Sequence, residues 1–243
     1  MRPRNPLNIG AAARAMANFG FRDLVVVAPY NPVWQETRSA VGAEAVVRTA
    51  RIAENIATAL CGVTLAVGTT SGERRHLDRE LISLDRFPRW LETCRLSRRA
   101  ALLFGSEKTG LSNEEMSHCR ALVRIPTTAG CPSMNLGQAV AVCCFEIDRL
   151  RRASSRANNE APEAADATPR ARVHISPPAS VQSLDHIFER ATRVLDDTGY
   201  LKPKSRRATL IKLRRMLLER GLSNREAKVL GGVLAQIEWK LRH

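Results

Sequence analysis

The chain has 243 residues, enough to bury one full core and a smaller second unit. Hydrophobic residues make up 44% of it, which excludes a largely disordered chain, and no apolar run approaches the roughly 18 residues that span a bilayer. With 38 Lys and Arg against 24 Asp and Glu the net charge is +14, and an excess of this size favours a polyanionic partner, RNA or DNA first.

In chain order, Met1-Arg2-Pro3-Arg4-Asn5 has no apolar stretch behind it and does not read as a signal peptide. Asn8 is placed to cap a helix that runs through alanines to Gly20, with Ile9, Ala13, Met16 and Phe19 as its buried stripe. Arg14 falls off that stripe, among small residues that let a ligand or a second chain approach closely; a solvated arginine is the alternative. Leu24 to Ala28 reads as a strand, and Glu36 to Val41 and Ile52 to Leu60 as helices. Thr64 to Gly68 is the next strand and empties into Thr69-Thr70-Ser71-Gly72. Arg74 to Arg79 reads as loop, and Leu84 to Arg95 as a helix whose Phe87, Trp90 and Leu91 belong to the core.

Ala100 to Phe104 is a third strand, followed by a turn from Gly105 to Ser112, where Ser112 and Glu115 form a capping box for a short helix ending near Arg120. The fourth strand, Ala121 to Ile125, runs into a Pro/Gly-punctuated loop that opens a helix from about Leu136 to Arg152, with Ser133 and Asn135 as caps at its start. Strands alternating with helices predict an α/β protein with a parallel sheet covered on both faces. Ligands of such sheets bind where loops leave the carboxyl ends of strands. An ordinary strand-to-helix connection is the alternative for each loop taken singly.

Residues 153–179 are rich in Ala, Ser, Asn, Glu and Pro and read as a flexible linker between a unit at 1–152 and a basic three-helix unit at 180–243. From Ser180 onward 14 Lys and Arg stand against 7 Asp and Glu. The run Lys202-Pro203-Lys204-Ser205-Arg206-Arg207 between the first two of these helices is placed to meet phosphates, with a solvated loop as the alternative. The six cysteines form no C-x-x-C pair and have no histidine at metal spacing, so no metal is expected and a reducing cytoplasm is the natural compartment. No G-x-G-x-x-G follows a predicted strand, which disfavours a nucleotide-dependent dehydrogenase.

Three strand-end stretches remain: Asn8-x-Gly10-x-x-x-Arg14, Phe104-Gly105-Ser106-Glu107-Lys108-Thr109-Gly110-Leu111-Ser112, and Ser133-Met134-Asn135-Leu136. In this order and at these separations they resemble the three motifs of the SPOUT class of RNA methyltransferases, and within it the TrmH/TrmJ branch that methylates ribose 2′-hydroxyls. The helical tail after a variable linker is similar to that of TrmJ-type tRNA methyltransferases. The resemblance implies a C-terminal trefoil knot, a homodimer whose sites draw on both copies, and S-adenosylmethionine as cofactor, leaving as S-adenosylhomocysteine. It places Thr69, Thr70, Ser71, Gly105, Ile125, Pro132, Ser133, Met134 and Leu136 around the cofactor, and Arg14, Asn8, Glu107, Ser133 and Asn135 at the reacting hydroxyl. Arg14 is then either the base or, since a free arginine has a pKa above roughly 12, a positioner and stabiliser of the developing alkoxide.

The implied reaction is 2′-O-methylation of tRNA at nucleotide 32 of the anticodon loop, with Lys202, Lys204, Arg206 and Arg207 on the RNA. An rRNA 2′-O-methyltransferase and a non-catalytic RNA-binding homologue are the alternatives. The resemblance also implies an apolar strand just ahead of the segment matching Arg2 to Asn8. The sequence starts at Met1 without one, so a start upstream of Met1 is expected to restore it.

Overall fold

Helices and strands alternate as the hydrophobic pattern predicts, in a computed structural model that describes residues 1–31, 33–71, 79–94, 99–160 and 177–242. Helix α1 (Pro6–Asn18) precedes β1 (Val25–Val27), α2 (Glu44–Thr49), β2 (Arg51–Ala53), α3 (Ile56–Ala59), β3 (Leu65–Thr69) and β4 (Glu80–Ser83). Then come α4 (Phe87–Thr93), β5 (Ala100–Leu103), α5 (Asn113–Ser117), β6 (Ala121–Arg124) and α6 (Leu136–Glu160), with α7 (Val181–Asp197), α8 (Arg206–Arg220) and α9 (Asn224–Arg242) closing the chain. All strand pairs among the described residues are parallel. The last strand, β6, is inserted between β3 and β4 in a sheet of order β4-β6-β3-β5, and its Leu122 and Val123 are fully buried there.

Several elements differ from the sequence reading, each for a local reason. Glu36 to Val41 is not helical: a single 3-10 turn at Trp34–Glu36 gives way to a loop in which Thr37 and Ser39 bond each other (2.9 Å) and Ser39 Oγ donates to the Leu7 carbonyl (2.6 Å). Such hydroxyls compete with helical hydrogen bonding. They pack over Gly10, where a Cβ would collide with both side chains. Ile52 to Leu60 splits into β2, which extends the pairing of β1, and α3, which begins only after Asn55 caps it by accepting from Thr58 N (2.9 Å). Strand β4 was hidden in a charged context and is held by parallel pairing with β6. Helix α6 continues to Glu160, well into the stretch read as linker, because an alanine-containing polar run extends a helix already nucleated by its packed half. The rest of that stretch up to residue 176, and most of the predicted 74–79 loop, lie outside the described residues.

The strands do not form one sheet. Among the described residues β1 pairs only with β2 and β5 only with β3, and the two edges line an apolar cavity of about 660 Å³ together with Ile9, Ala12, Leu60 and Val63. The first two residues bridge it: the Met1 α-amino group donates to Phe104 O (2.7 Å) and Arg2 N donates to Val27 O (2.8 Å). Burial pushes that amino group down from 8.0 to about 6, against the pull of Glu115 and Glu107.

The last three helices pack around Leu184, Ile187, Leu217 and Leu218 as predicted. They are also fastened to the first unit. Val181 N donates to Val63 O (2.7 Å), and His118, at the end of α5, lies between Asp185 of α7 (3.2 Å) and Arg214 of α8 (2.7 Å), whose guanidinium also covers the Phe188 ring at 4.2 Å.

Candidate functional site

The parallel pairing fixes where the loops converge. In β3, Gly68 is level with Leu103 of β5 and Thr69 with Val123 of β6, so three neighbouring strands end at one height and release residues 69–71, 104–112 and 125–135 on the same side. Thr69 Oγ1 donates to Leu103 O (3.0 Å) and Thr70 N to Val123 O (3.0 Å), which ties the three ends together. Gly105 is needed for packing as well as for any ligand: the turn folds back through the Ser106–Gly110 bridge, and a Cβ on Gly105 would meet the Gly110 and Leu111 backbone. Thr127 Oγ1 donates to Pro132 O (3.2 Å) and closes the last loop, leaving Ser133 and Met134 exposed ahead of Leu136.

Glu107 is the centre of the polar arrangement. Its carboxylate accepts from Arg4 N (3.0 Å), Asn5 N (3.2 Å) and Asn8 Nδ2 (3.0 Å), and Asn8 Oδ1 in turn accepts from Asn135 Nδ2 (2.9 Å). Asn135 Oδ1 caps α6 by accepting from Gly137 N (2.9 Å). Asn8 is therefore not the cap of α1. That role falls to Asn5, which accepts from Leu7 N (2.9 Å), and Asn8 sits inside the first turn with its amide free to join Glu107 to Asn135. Partial burial works to raise the Glu107 pKa, but the bonds from Asn8 and from the Arg4 and Asn5 amides outweigh it and hold the group below the usual carboxylate range. A carboxylate already accepting three N–H groups is a brace for the loops rather than a free base. The stabilisation it gives is present above the ordinary carboxylate range and is lost as pH falls through its depressed value.

Within one chain Arg14 stands apart. It is exposed, makes no hydrogen bond or ion pair among the described residues, and lies six residues along α1 from Asn8, about 9 Å by helical rise and about 120° round the axis. Helix α1 packs tightly on α6, where a Cβ on Gly137 would come 2.7 Å from that of Ala11. The same two helices leave Leu7, Val142 and Phe145 in solvent. Between α7 and α8, Lys202, Lys204 and Arg207 are exposed, whereas Arg206 is taken up by Asp196 (2.7 and 3.2 Å) and by starting α8. The sequence reading missed the part played by the Arg4 and Asn5 amides, because backbone donors leave no compositional trace.

Residues 1–145 match the SpoU rRNA Methylase family, and residues 182–243 match the tRNA methyltransferase TrmJ C-terminal domain. The chain is 30% identical to the tRNA (cytidine/uridine/adenosine-2′-O-)-methyltransferase TrmJ of Pseudomonas aeruginosa, over 96% of this chain and 90% of that one. It is 32% identical to the tRNA (cytidine/uridine-2′-O-)-methyltransferase TrmJ of Cronobacter sakazakii, over 95% and 91%. Its fold is similar to the crystal structure of TrmJ from Z. mobilis, with a TM-score of 0.79, 26% identity and 98% and 96% of the two chains covered.

Proposed function

The chain belongs to the SpoU rRNA methylase family, in the branch that carries a TrmJ-type C-terminal domain, and on that premise we propose that it methylates ribose 2′-hydroxyls of tRNA from S-adenosylmethionine. The observation that carries this reading is the Asn8–Glu107–Asn135 chain, which joins the three motif stretches at one end of the sheet. The names of the P. aeruginosa and C. sakazakii relatives favour tRNA over rRNA. Nucleotide 32 of the anticodon loop is the position proposed, and residues 125–135 are the loop proposed to thread the knot.

The lining offered to the donor is neutral and small: Thr69, Thr70, Ser71 and Gly105 at the strand ends, with Ile125, Pro132, Ser133, Met134 and Leu136 from the last loop. This suits a nucleoside-type cofactor held by main chain and apolar contact. The bound cofactor supplies an electrophilic methyl group. Glu107, fixed by its three donors, keeps the approach loop and Asn8 in place beside Asn135, and Ser133 faces the ribose. Arg14 comes from a second copy, holds the ribose and its phosphate, and stabilises the developing alkoxide as the 2′-hydroxyl passes its proton by way of that phosphate to solvent. The exposed Leu7, Val142 and Phe145 on the packed α1 and α6 supply the apolar contact for that second copy.

The test is incubation with S-adenosylmethionine and a tRNA panel, followed by nucleoside mass spectrometry mapped to position. A 2′-O-methyl group at nucleotide 32 supports the reading, and methylation of rRNA alone would overturn it. Removing the charges of Lys202, Lys204 and Arg207 together is expected to weaken tRNA binding and lower the slope of log affinity against log salt by about 3. An unchanged slope in a salt titration would take that run off the RNA.

A further inference from the structure

Tyr30 has no packing role among the described residues that accounts for its position. It is 75% exposed, the highest value for any large hydrophobic side chain among the described residues. It is nevertheless held. Its amide donates to Pro3 O (3.1 Å), and the following turn is closed by Val33 N on Asn31 Oδ1 (2.9 Å). The Arg4 guanidinium lies 5.4 Å from the ring centroid and makes no ion pair with a carboxylate among the described residues. The same Arg4 donates its backbone N–H to Glu107, so the ring stands one residue away from the bonded chain that runs to Asn135. The backbone is strained here as well. Arg2 and Ala28 both have φ of 45°, the only non-glycine residues in the left-handed region among those described, and they flank this corner. Strain of that kind persists where the surroundings fix a side chain for use.

We propose that Tyr30 and Arg4 form a stacking platform for the base of a nucleotide next to the methylated ribose, with Arg4 also meeting its phosphate. The inference rests on the methyltransferase reading. A ribose hydroxyl carries no base identity, so an enzyme acting on it must select and register its nucleotide through neighbouring contacts. An unstacked loop base finds on an exposed aromatic the face it has lost in the RNA, and such stacking tolerates different bases. The uncompensated cation on the edge of the platform matches the charge of the intervening phosphate.

The experiment compares wild type with Tyr30→Ala, Tyr30→Leu and Tyr30→Phe, measuring KM and kcat for tRNA, S-adenosylmethionine affinity by calorimetry, and Tm. Tyr30→Ala and Tyr30→Leu are expected to raise the KM for tRNA about tenfold with little change in kcat or cofactor affinity, and Tyr30→Phe to behave as wild type. Tyr30→Leu keeps the bulk without the flat ring, so its result stands even if the alanine variant melts early. A tRNA lacking one base beside the target, tried on the 5′ and then the 3′ side, should cost wild type the same factor and cost Tyr30→Ala nothing further. A wild-type KM in Tyr30→Leu, or equal further losses in both proteins on both abasic substrates, would overturn the platform. Anisotropy with an anticodon stem-loop separates the two readings. Tight binding that is weakened in Tyr30→Leu, with no methylation by wild type, would remove the enzymatic reading and leave the platform standing.

Discussion

Replacing Arg14 by alanine is expected to lower methyl transfer to tRNA by roughly a hundredfold or more while leaving S-adenosylmethionine affinity nearly unchanged. The argument begins with what the substitution does not disturb. Arg14 is exposed on α1, and the helix is held by Ile9, Ala12, Ala13 and Ala15 on its buried side. Alanine is the best helix former, so Tm should hold or rise slightly. Within its own chain Arg14 also makes no hydrogen bond or ion pair to the strand ends proposed for the cofactor, among the described residues. The loss therefore reports on the ribose alone. Arg14→Lys should recover little, because a compact ammonium lacks the planar fork that can grip a phosphate and a sugar oxygen together. Radiolabel transfer measured beside calorimetry checks both halves, and an active Arg14→Ala enzyme would remove this residue from the mechanism.

An apolar segment of about five residues joined ahead of Met1 is expected to raise stability by on the order of 3 kcal/mol, or roughly 6 to 12 °C in Tm for a chain of this size. The cavity between β1 and β5 has an open strand edge on each side, and Met1 and Arg2 already make one bond to each. Their direction past the carboxyl ends of both strands lets an upstream segment run parallel to the two and join them into one sheet. Burial of several Val or Ile side chains exceeds the cost of ordering about five residues, roughly 1 to 2 kcal/mol each for the backbone. A signature in pH accompanies it. The Met1 amino group has a folded pKa of about 6 against 8.0 unfolded, so the unfolded chain binds more protons between these values and stability falls as pH drops through that window. Converting the amine to an amide should abolish this dependence. Thermal melts at pH 6 and 8, with an equally long Gly/Ser/Asp extension as control, decide it; equal effects of both extensions would show that the cavity does not take a strand.

Much of this architecture is legible in the residues because apolar runs such as Val25–Val27, Leu65–Thr69 and Ala121–Arg124 are buried on both faces and need no partner information. Ser112 and Glu115 close the capping box their spacing announces. Short elements were lost where charge or polarity masked them. Arg51–Ala53 and Glu80–Ser83 are strands only because β1 and β6 lie beside them, which is a tertiary cause. Within the site, Asn8, Glu107 and Asn135 were named from their motifs, and the structure brings those three together. Arg14 is not joined to them within one chain, and is proposed to reach them from a second copy. Arg206 illustrates the opposite error: a basic run read as uniform surface charge contains one arginine bound to its own neighbour, Asp196.

Complementation between two defective chains tests the shared site most directly. Arg14→Ala and Glu107→Ala, each inactive alone, are mixed under conditions that exchange subunits and assayed on tRNA. If each site takes its arginine from one copy and its Glu107-braced loops from the other, half of the dimers hold one intact site, and activity returns to about a quarter of wild type. Activity no higher than that of either variant alone would contradict a site built from two copies.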